Sequence, residues 1–277
     1  MNIALLSLLI GGLTLLLLRG QQRMIYHPRP YGATEPSPPA GLLTVEYATS
    51  QGRQTAFYLP PRTGTVAENL WLMLGGNGSL AIDWLDFLRD FPDAHSGFLL
   101  LDYPRYGYCH GKPSPKTILE SAEAALSTLA TKLGEDPVEI RNRLQVMGHS
   151  LGTAAALLYA GRHPVKRLVL ISPFTSLKDM AALIVGPLLS QTLLHDYDNR
   201  ARLREVLARE PAVPVTIIHG NHDKVVPVAM GRELSGSSSK IDYLEIERGD
   251  HNYLLVTAAE EIRRVMLGSK PIGKQLT

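Results

Sequence analysis

Cysteine is almost absent: Cys109 is the single one in 277 residues. An internal disulfide is therefore excluded, and so is a multi-cysteine metal site. A dominant charge is missing too. Lys plus Arg number 28 and Asp plus Glu 26, for a formal net charge of +2, and a nucleic-acid binder would normally show a basic face. The nine histidines show no H-E-x-x-H or comparable ligand spacing, so no metal and no cofactor is expected. Residues 75–80, "GGNGSL", have the glycines of a phosphate loop but lack its Gly-Lys-Ser/Thr end. The chain has no internal repeat and no long low-complexity tract.

One long apolar run is present. Residues 3–18, "IALLSLLIGGLTLLLL", are 16 uncharged residues, slightly short of the ~20 that cross a bilayer squarely. Met1-Asn2 supplies no basic side chain ahead of it, and "LRGQQRMIYHP" offers no A-x-A cleavage site. Residues 1–23 therefore read as an uncleaved N-terminal membrane helix, with a cleaved export signal as the alternative. Arg19, Arg23 and Arg29 follow the run, which favours the body on the cytoplasmic side. Residues 24–41 are rich in proline and read as a stiff connector. Residues 42–277 then form one domain.

Within that domain strand-like and helix-like segments alternate. Residues 42–49 and 54–60 flank the turn signal "SQGR" and predict an antiparallel hairpin. Short apolar runs at 70–75, 97–103, 144–148, 166–172 and 213–220 read as buried strands, with another strand at 240–247. Helical spacing appears at 80–91, 113–133, 151–163 and 252–267. This alternation implies an α/β fold, a mostly parallel central sheet with helices on both faces. Residues 173–212 interrupt the rhythm and read as a helical lid insertion over the strand ends, where open α/β sheets bind ligands.

The informative motif is Gly148-His149-Ser150-Leu151-Gly152, a G-x-S-x-G between a predicted strand and a predicted helix. That is the setting of a nucleophile elbow. A serine hydroxyl attacks only when a base takes its proton. His251, after the last strand, is the candidate base, and Asp223, in the loop at the end of "VPVTIIHG", its candidate acid. His219, His222 and Asp250 are rivals read as structural, and His149 as packing at the elbow. An oxyanion needs backbone donors. The N–H groups of Leu151 and of Asn77, in "GGNGS", are the candidates. Tyr103, Tyr106 and Tyr108 either edge a substrate pocket or pack a long loop, and Cys109 belongs to no motif.

"GHSLG", "GNHDKVVP", "GDHN" and the upstream "LMLGGNGS" together resemble the α/β-hydrolase superfamily over residues 40–267. The order Ser150, Asp223, His251 is the one that resemblance implies. It differs in placing Gly75-Gly76 where relatives often have His-Gly. The apolar N-terminus, "IYHP" and "DYPRYGYCHGKPSPKTI" further resemble membrane-anchored Bem46-like hydrolases. The resemblance implies a serine hydrolase acting on an ester or thioester; the apolar N-terminal run and the apolar insertion "MAALIVGPLLSQTLL" (180–194) favour a small-molecule or lipid-like acyl substrate. A peptidase or amidase with the same three residues stays open, as does a hydrolase-fold binding module without activity.

Overall fold

Two strands start the sheet, β1 (Leu43–Thr49) and β2 (Gly52–Leu59), and they pair antiparallel from Leu43↔Tyr58 to Thr49↔Gly52. The structure is a computed structural model that describes residues 23, 25–32, 41–195 and 197–270. The predicted N-terminal membrane helix lies outside the described residues. Among the described residues, no helix is long and apolar enough to cross a membrane.

Six further strands follow: β3 (Asn69–Leu74), β4 (Ser96–Leu101), β5 (Leu144–His149), β6 (Leu168–Ile171), β7 (Val215–Gly220) and β8 (Ile241–Ile246). They build an eight-stranded sheet in the order β1-β2-β4-β3-β5-β6-β7-β8. From β4 to β8 every pairing is parallel. The apolar runs explain this. β4, β5, β6 and β7 are buried at every position, as strands covered on both faces must be. β1 alternates exposed and buried residues at its centre, because one face of that antiparallel edge meets solvent.

The helices are α1 (Trp84–Leu88), α2 (Pro115–Leu133), α3 (Pro137–Asn142), α4 (Leu151–Ala160), α5 (Leu177–Val185), α6 (Pro187–Ser190), α7 (Asn199–Arg209), α8 (Val228–Gly236), α9 (Leu254–Thr257) and α10 (Ala259–Met266). The start signal of α2 works as read. The Ser114 side chain accepts from the Thr117 N–H, Pro115 opens the helix, and left-handed Gly134 closes it. Two predicted helices are shorter or broken. Residues 80–91 give a 3₁₀ turn, Ala81–Asp83, and then only α1. Residues 252–267 split at Ala258, whose φ of −119° leaves the helical region; Leu254 and Ile262, both fully buried, lie on either side.

Parallel strands end on a common edge. The loops after β3, β5, β6, β7 and β8 therefore gather there, the edge at which such sheets bind ligands. The segment between β6 and β7 contributes α5, α6 and α7. Residues 25–31 were expected within a stiff extended connector; they are held against the domain. Ile25 and Tyr26 are buried, the Tyr26 hydroxyl lies 3.0 Å from the Tyr197 hydroxyl, and Tyr31 donates to Asp102 at 2.8 Å. The remaining connector residues, 33–40, lie outside the described residues.

Candidate active site

Ser150 stands at the turn from β5 to α4 with φ 54° and ψ −118°. This is a region that L-residues rarely enter. The fold holds it there by close backbone approach on both sides. A Cβ on Gly148 would lie 2.2 Å from the Gly152 carbonyl oxygen, and one on Gly152 would lie 2.0 Å from the Leu74 carbonyl oxygen. No side chain fits at either position. Ala154, Ala155 and Ala156, all buried, let α4 lie close against the sheet.

The other two predicted residues arrive from the ends of β7 and β8. His251 Nε2 lies 3.0 Å from Ser150 Oγ. On the opposite side of the ring, Nδ1 lies 2.6 Å from Asp223 Oδ2. Asp223 Oδ1 accepts from the backbone N–H groups of Val225 at 2.9 Å and Val226 at 2.8 Å. An ionised carboxylate can only accept, so the ring proton belongs on Nδ1 and Nε2 is free to accept from the serine. Burial works against the charge on Asp223. The hydrogen bonds from His219 and His251, the charge of His251 and the Val226 N–H outweigh it and hold the carboxyl well below its ordinary range.

The rivals find structural work. Asp250 accepts from the Asn252 N–H at 3.0 Å, and His222 is exposed. His219 is fully buried, with Nε2 3.0 Å from the Val226 carbonyl and 3.3 Å from Asp223 Oδ2. Sequence reasoning set it aside, yet it faces the acid. Its position four residues ahead of Asp223, at the end of a buried strand, is the signal that was present. Cys109 is buried and hydrogen-bonded to Thr55 through both backbone groups; burial pushes its thiol up to about 12.

His149 packs beneath the site. Its Nε2 lies 3.2 Å from the His251 carbonyl, which can only accept, so the proton sits on Nε2. Burial, and then the neighbouring His251, push its pKa down to about 3. The unfolded chain takes up a proton near the ordinary value of about 6.5, whereas the folded chain does not until about 3. Stability is therefore complete above about 6.5 and lost as pH falls toward 3. Urea unfolding of His149→Gln is expected to show a slope between pH 6 and 4 flatter than wild type by about 1 kcal/mol per pH unit. Parallel slopes would contradict this.

The loop after β3 completes the arrangement. A Cβ on Gly76 would lie 3.4 Å from Ser150 Cβ and 3.2 Å from His149 Nδ1, so the Gly75–Ser79 backbone passes directly against the serine. Leu151, Asn77 and Ser150 all border the same cleft. Among the described residues, neither the Leu151 nor the Asn77 N–H donates to a protein acceptor.

The Asn77 side chain explains how this loop is held, and nothing local in the sequence marked it. Its Oδ1 accepts from the His27 N–H and the Tyr106 hydroxyl, each at 2.8 Å, and its Nδ2 donates to the Ile25 carbonyl at 2.7 Å. Tyr103 donates to the Gly75 carbonyl at 2.7 Å. Tyr103 and Tyr106 thus brace the loop from behind, while half-exposed Tyr108 packs on Tyr31. Asn77→Ala removes these three hydrogen bonds and the contact of Nδ2 with His27 Nδ1 at 3.2 Å, and leaves the Asn77 backbone N–H in place. We expect it to lower kcat for a substrate turned over at this site by about 10- to 100-fold with a smaller change in KM. Steady-state kinetics check this, and a kcat within about twofold of wild type would refute it.

The cleft has a volume of about 330 Å³. Apart from the residues at the serine, its walls are mainly Phe174, Leu177, Met180, Ile184 and Leu189 from the insertion, with Val226. Among the described residues, no group of three or more His, Cys, Asp or Glu side chains is placed to hold a metal ion.

Comparison with known proteins agrees with this architecture. An uncharacterized protein of Mycobacterium tuberculosis, Rv2307c, is 29% identical over 241 residues, covering 86% of this chain and 82% of that one. The structure of a 2,6-dihydroxy-pseudo-oxynicotine hydrolase superposes with a TM-score of 0.64 at 20% identity, over 85% of this chain and 72% of that one. An esterase from Exiguobacterium antarcticum gives 0.59 at 16% identity, over 82% and 98%. Residues 71–212 match the model of the alpha/beta hydrolase family, and the chain belongs to that family.

Proposed function

We propose that this protein is a serine hydrolase that cleaves carboxylic esters or thioesters through an acyl-enzyme on Ser150. The observation that carries the reading is the continuous contact from Asp223 through His251 to Ser150 Oγ, at 2.6 and 3.0 Å. Ser150 Oγ attacks the carbonyl carbon as its proton passes to His251 Nε2. The new oxyanion takes hydrogen bonds from the Leu151 and Asn77 N–H groups. Collapse of the tetrahedral intermediate expels the alcohol or thiol, which leaves with the proton held on Nε2. Water then repeats the sequence on the acyl-enzyme and frees the acid. Asp223 keeps the imidazole in the required tautomer and stabilises its charged form.

The apolar walls of the cleft favour an acyl chain as the recognised group. One structural neighbour, from Exiguobacterium antarcticum, is an esterase. Residues 3–18 serve in this reading as a membrane anchor, with residues 173–212 as a lid over the cleft, in the manner of the Bem46-like hydrolases the sequence resembles. A series of p-nitrophenyl esters of increasing acyl length tests the assignment. kcat/KM should climb by about two- to fourfold per methylene until the cleft is filled. Indifference to chain length, or cleavage of the matching anilides as fast as the esters, would favour a peptidase or amidase instead.

A further inference from the structure

The mouth of the cleft is ringed by exposed apolar side chains. Ile184 is 81% exposed, Leu189 57% and Val225 49%, although all three also line the cleft. Just outside it stand Leu183 and Leu188, 62% and 84% exposed. Single exposed leucines are ordinary, but a contiguous group at a site entrance marks a surface that meets something apolar. The helices that carry it hold few alternatives. α5 has no buried residue at all, and its Leu177, Met180, Ala181 and Ile184 face the cleft at helical spacing.

What lies next to this rim follows from where the chain enters. Ile25 lines the same cleft. It is pinned there by its neighbours, with Tyr26 beside Tyr197 and the His27 N–H on Asn77. The uncharged run 3–18 ends seven residues earlier. Seven extended residues span at most about 25 Å, so the apolar run ends within that reach of the cleft mouth. Arg23 and Lys224, both exposed, lie in sequence close to Ile25 and next to Val225, as suits lipid headgroups.

We propose that the apolar rim of the cleft rests on a lipid bilayer, the one that takes up residues 3–18, so that an acyl chain passes from lipid to Ser150 without crossing water. This rests on the hydrolase reading above for its substrate, but the docking itself can be measured without turnover.

The test uses the full chain reconstituted into phosphatidylcholine–phosphatidylglycerol vesicles, with and without acyl-brominated phosphatidylcholine as quencher. Native Trp71 and Trp84 are buried and supply a constant background. Leu188→Trp places a reporter on the rim. Val138→Trp places one on α3, at the opposite end of the strands, where Val138 is 51% exposed. The added emission of Leu188→Trp should lose about half its intensity to the brominated lipid while that of Val138→Trp is unaffected, since an interfacial side chain sits ~5–10 Å into the headgroup boundary. Equal quenching of the two reporters would overturn the proposal. So would an unquenched Leu188→Trp, whether the rim is then covered by residues 3–18 or by a second copy of the chain.

A second variant separates docking from catalysis. Leu183→Ser/Leu188→Ser should lower hydrolysis of a long-chain ester dispersed in vesicles by about tenfold or more, with a soluble short-chain ester cleaved at the wild-type rate. Equal rates on the vesicle substrate would overturn the proposal. Should wild type cleave neither ester, the hydrolase reading fails, and the quenching result still decides whether the rim meets lipid.

Discussion

Ser150→Ala is expected to lower kcat on any cleaved ester by about 10⁴- to 10⁶-fold while leaving the melting temperature unchanged. The reason lies in what the hydroxyl does and does not touch. Its side-chain contact is His251 Nε2 at 3.0 Å; the strained backbone at φ 54° is maintained by Gly148 and Gly152, not by the oxygen. Alanine carries the same Cβ, so it adds no strain. What remains after the change is the cleft and the backbone donors, which account for the residual rate. His251→Ala should cost about as much, and the double variant little more than either single one, because the two side chains act on one proton. Steady-state kinetics with thermal unfolding of the three variants check this. Losses that multiply in the double variant would mean that serine and histidine work separately.

Gly152→Ala has the largest expected effect on stability. The added methyl would stand 2.0 Å from the Leu74 carbonyl oxygen, 2.6 Å from its carbon and 2.7 Å from the Gly75 carbonyl oxygen. All of these are backbone atoms. A flexible side chain could swing away, but here α4 must move off β3 or the turn at Ser150 must open. We expect a loss of about 3 kcal/mol or more, or a melting temperature lower by about 10 °C, with insoluble expression as the extreme form. Gly236→Ala is the matched control, since nothing lies within 4 Å of its would-be Cβ. Equal melting temperatures for Gly152→Ala and wild type would refute the steric account of the elbow.

The parts legible in the sequence are those whose constraints are local. Gly148 and Gly152 are demanded by backbone contacts around Ser150 itself, so the motif and its geometry coincide. The buried strands announce themselves as apolar runs because both faces are covered. Asp223 and His251 could be named because loops after parallel strands meet on one edge.

What stayed hidden depends on distant partners. Pro28 and Pro30 make residues 24–41 read as a stiff connector, and nothing in that reading shows that Ile25 and His27 hold Asn77, some fifty residues away in sequence. The tyrosines at 103 and 106 gave no hint that their hydroxyls brace residues 75 and 77. α8 escaped because Gly231 interrupts its helical pattern; that glycine is required, since a Cβ there would lie 2.3 Å from His219 Nδ1. The placing of β4 between β2 and β3 follows from pairing over the whole sheet, which periodicity along the chain does not encode.

The central claim is that Ser150 is an activated nucleophile, and covalent capture tests it most directly. The full chain is treated with a fluorophosphonate probe, digested, and the adduct located by mass spectrometry. The account predicts one phosphonylated site, on Ser150, absent from Ser150→Ala and strongly slowed in His251→Ala. A folded wild-type chain that resists the probe, or one modified at another residue with Ser150 untouched, would contradict it.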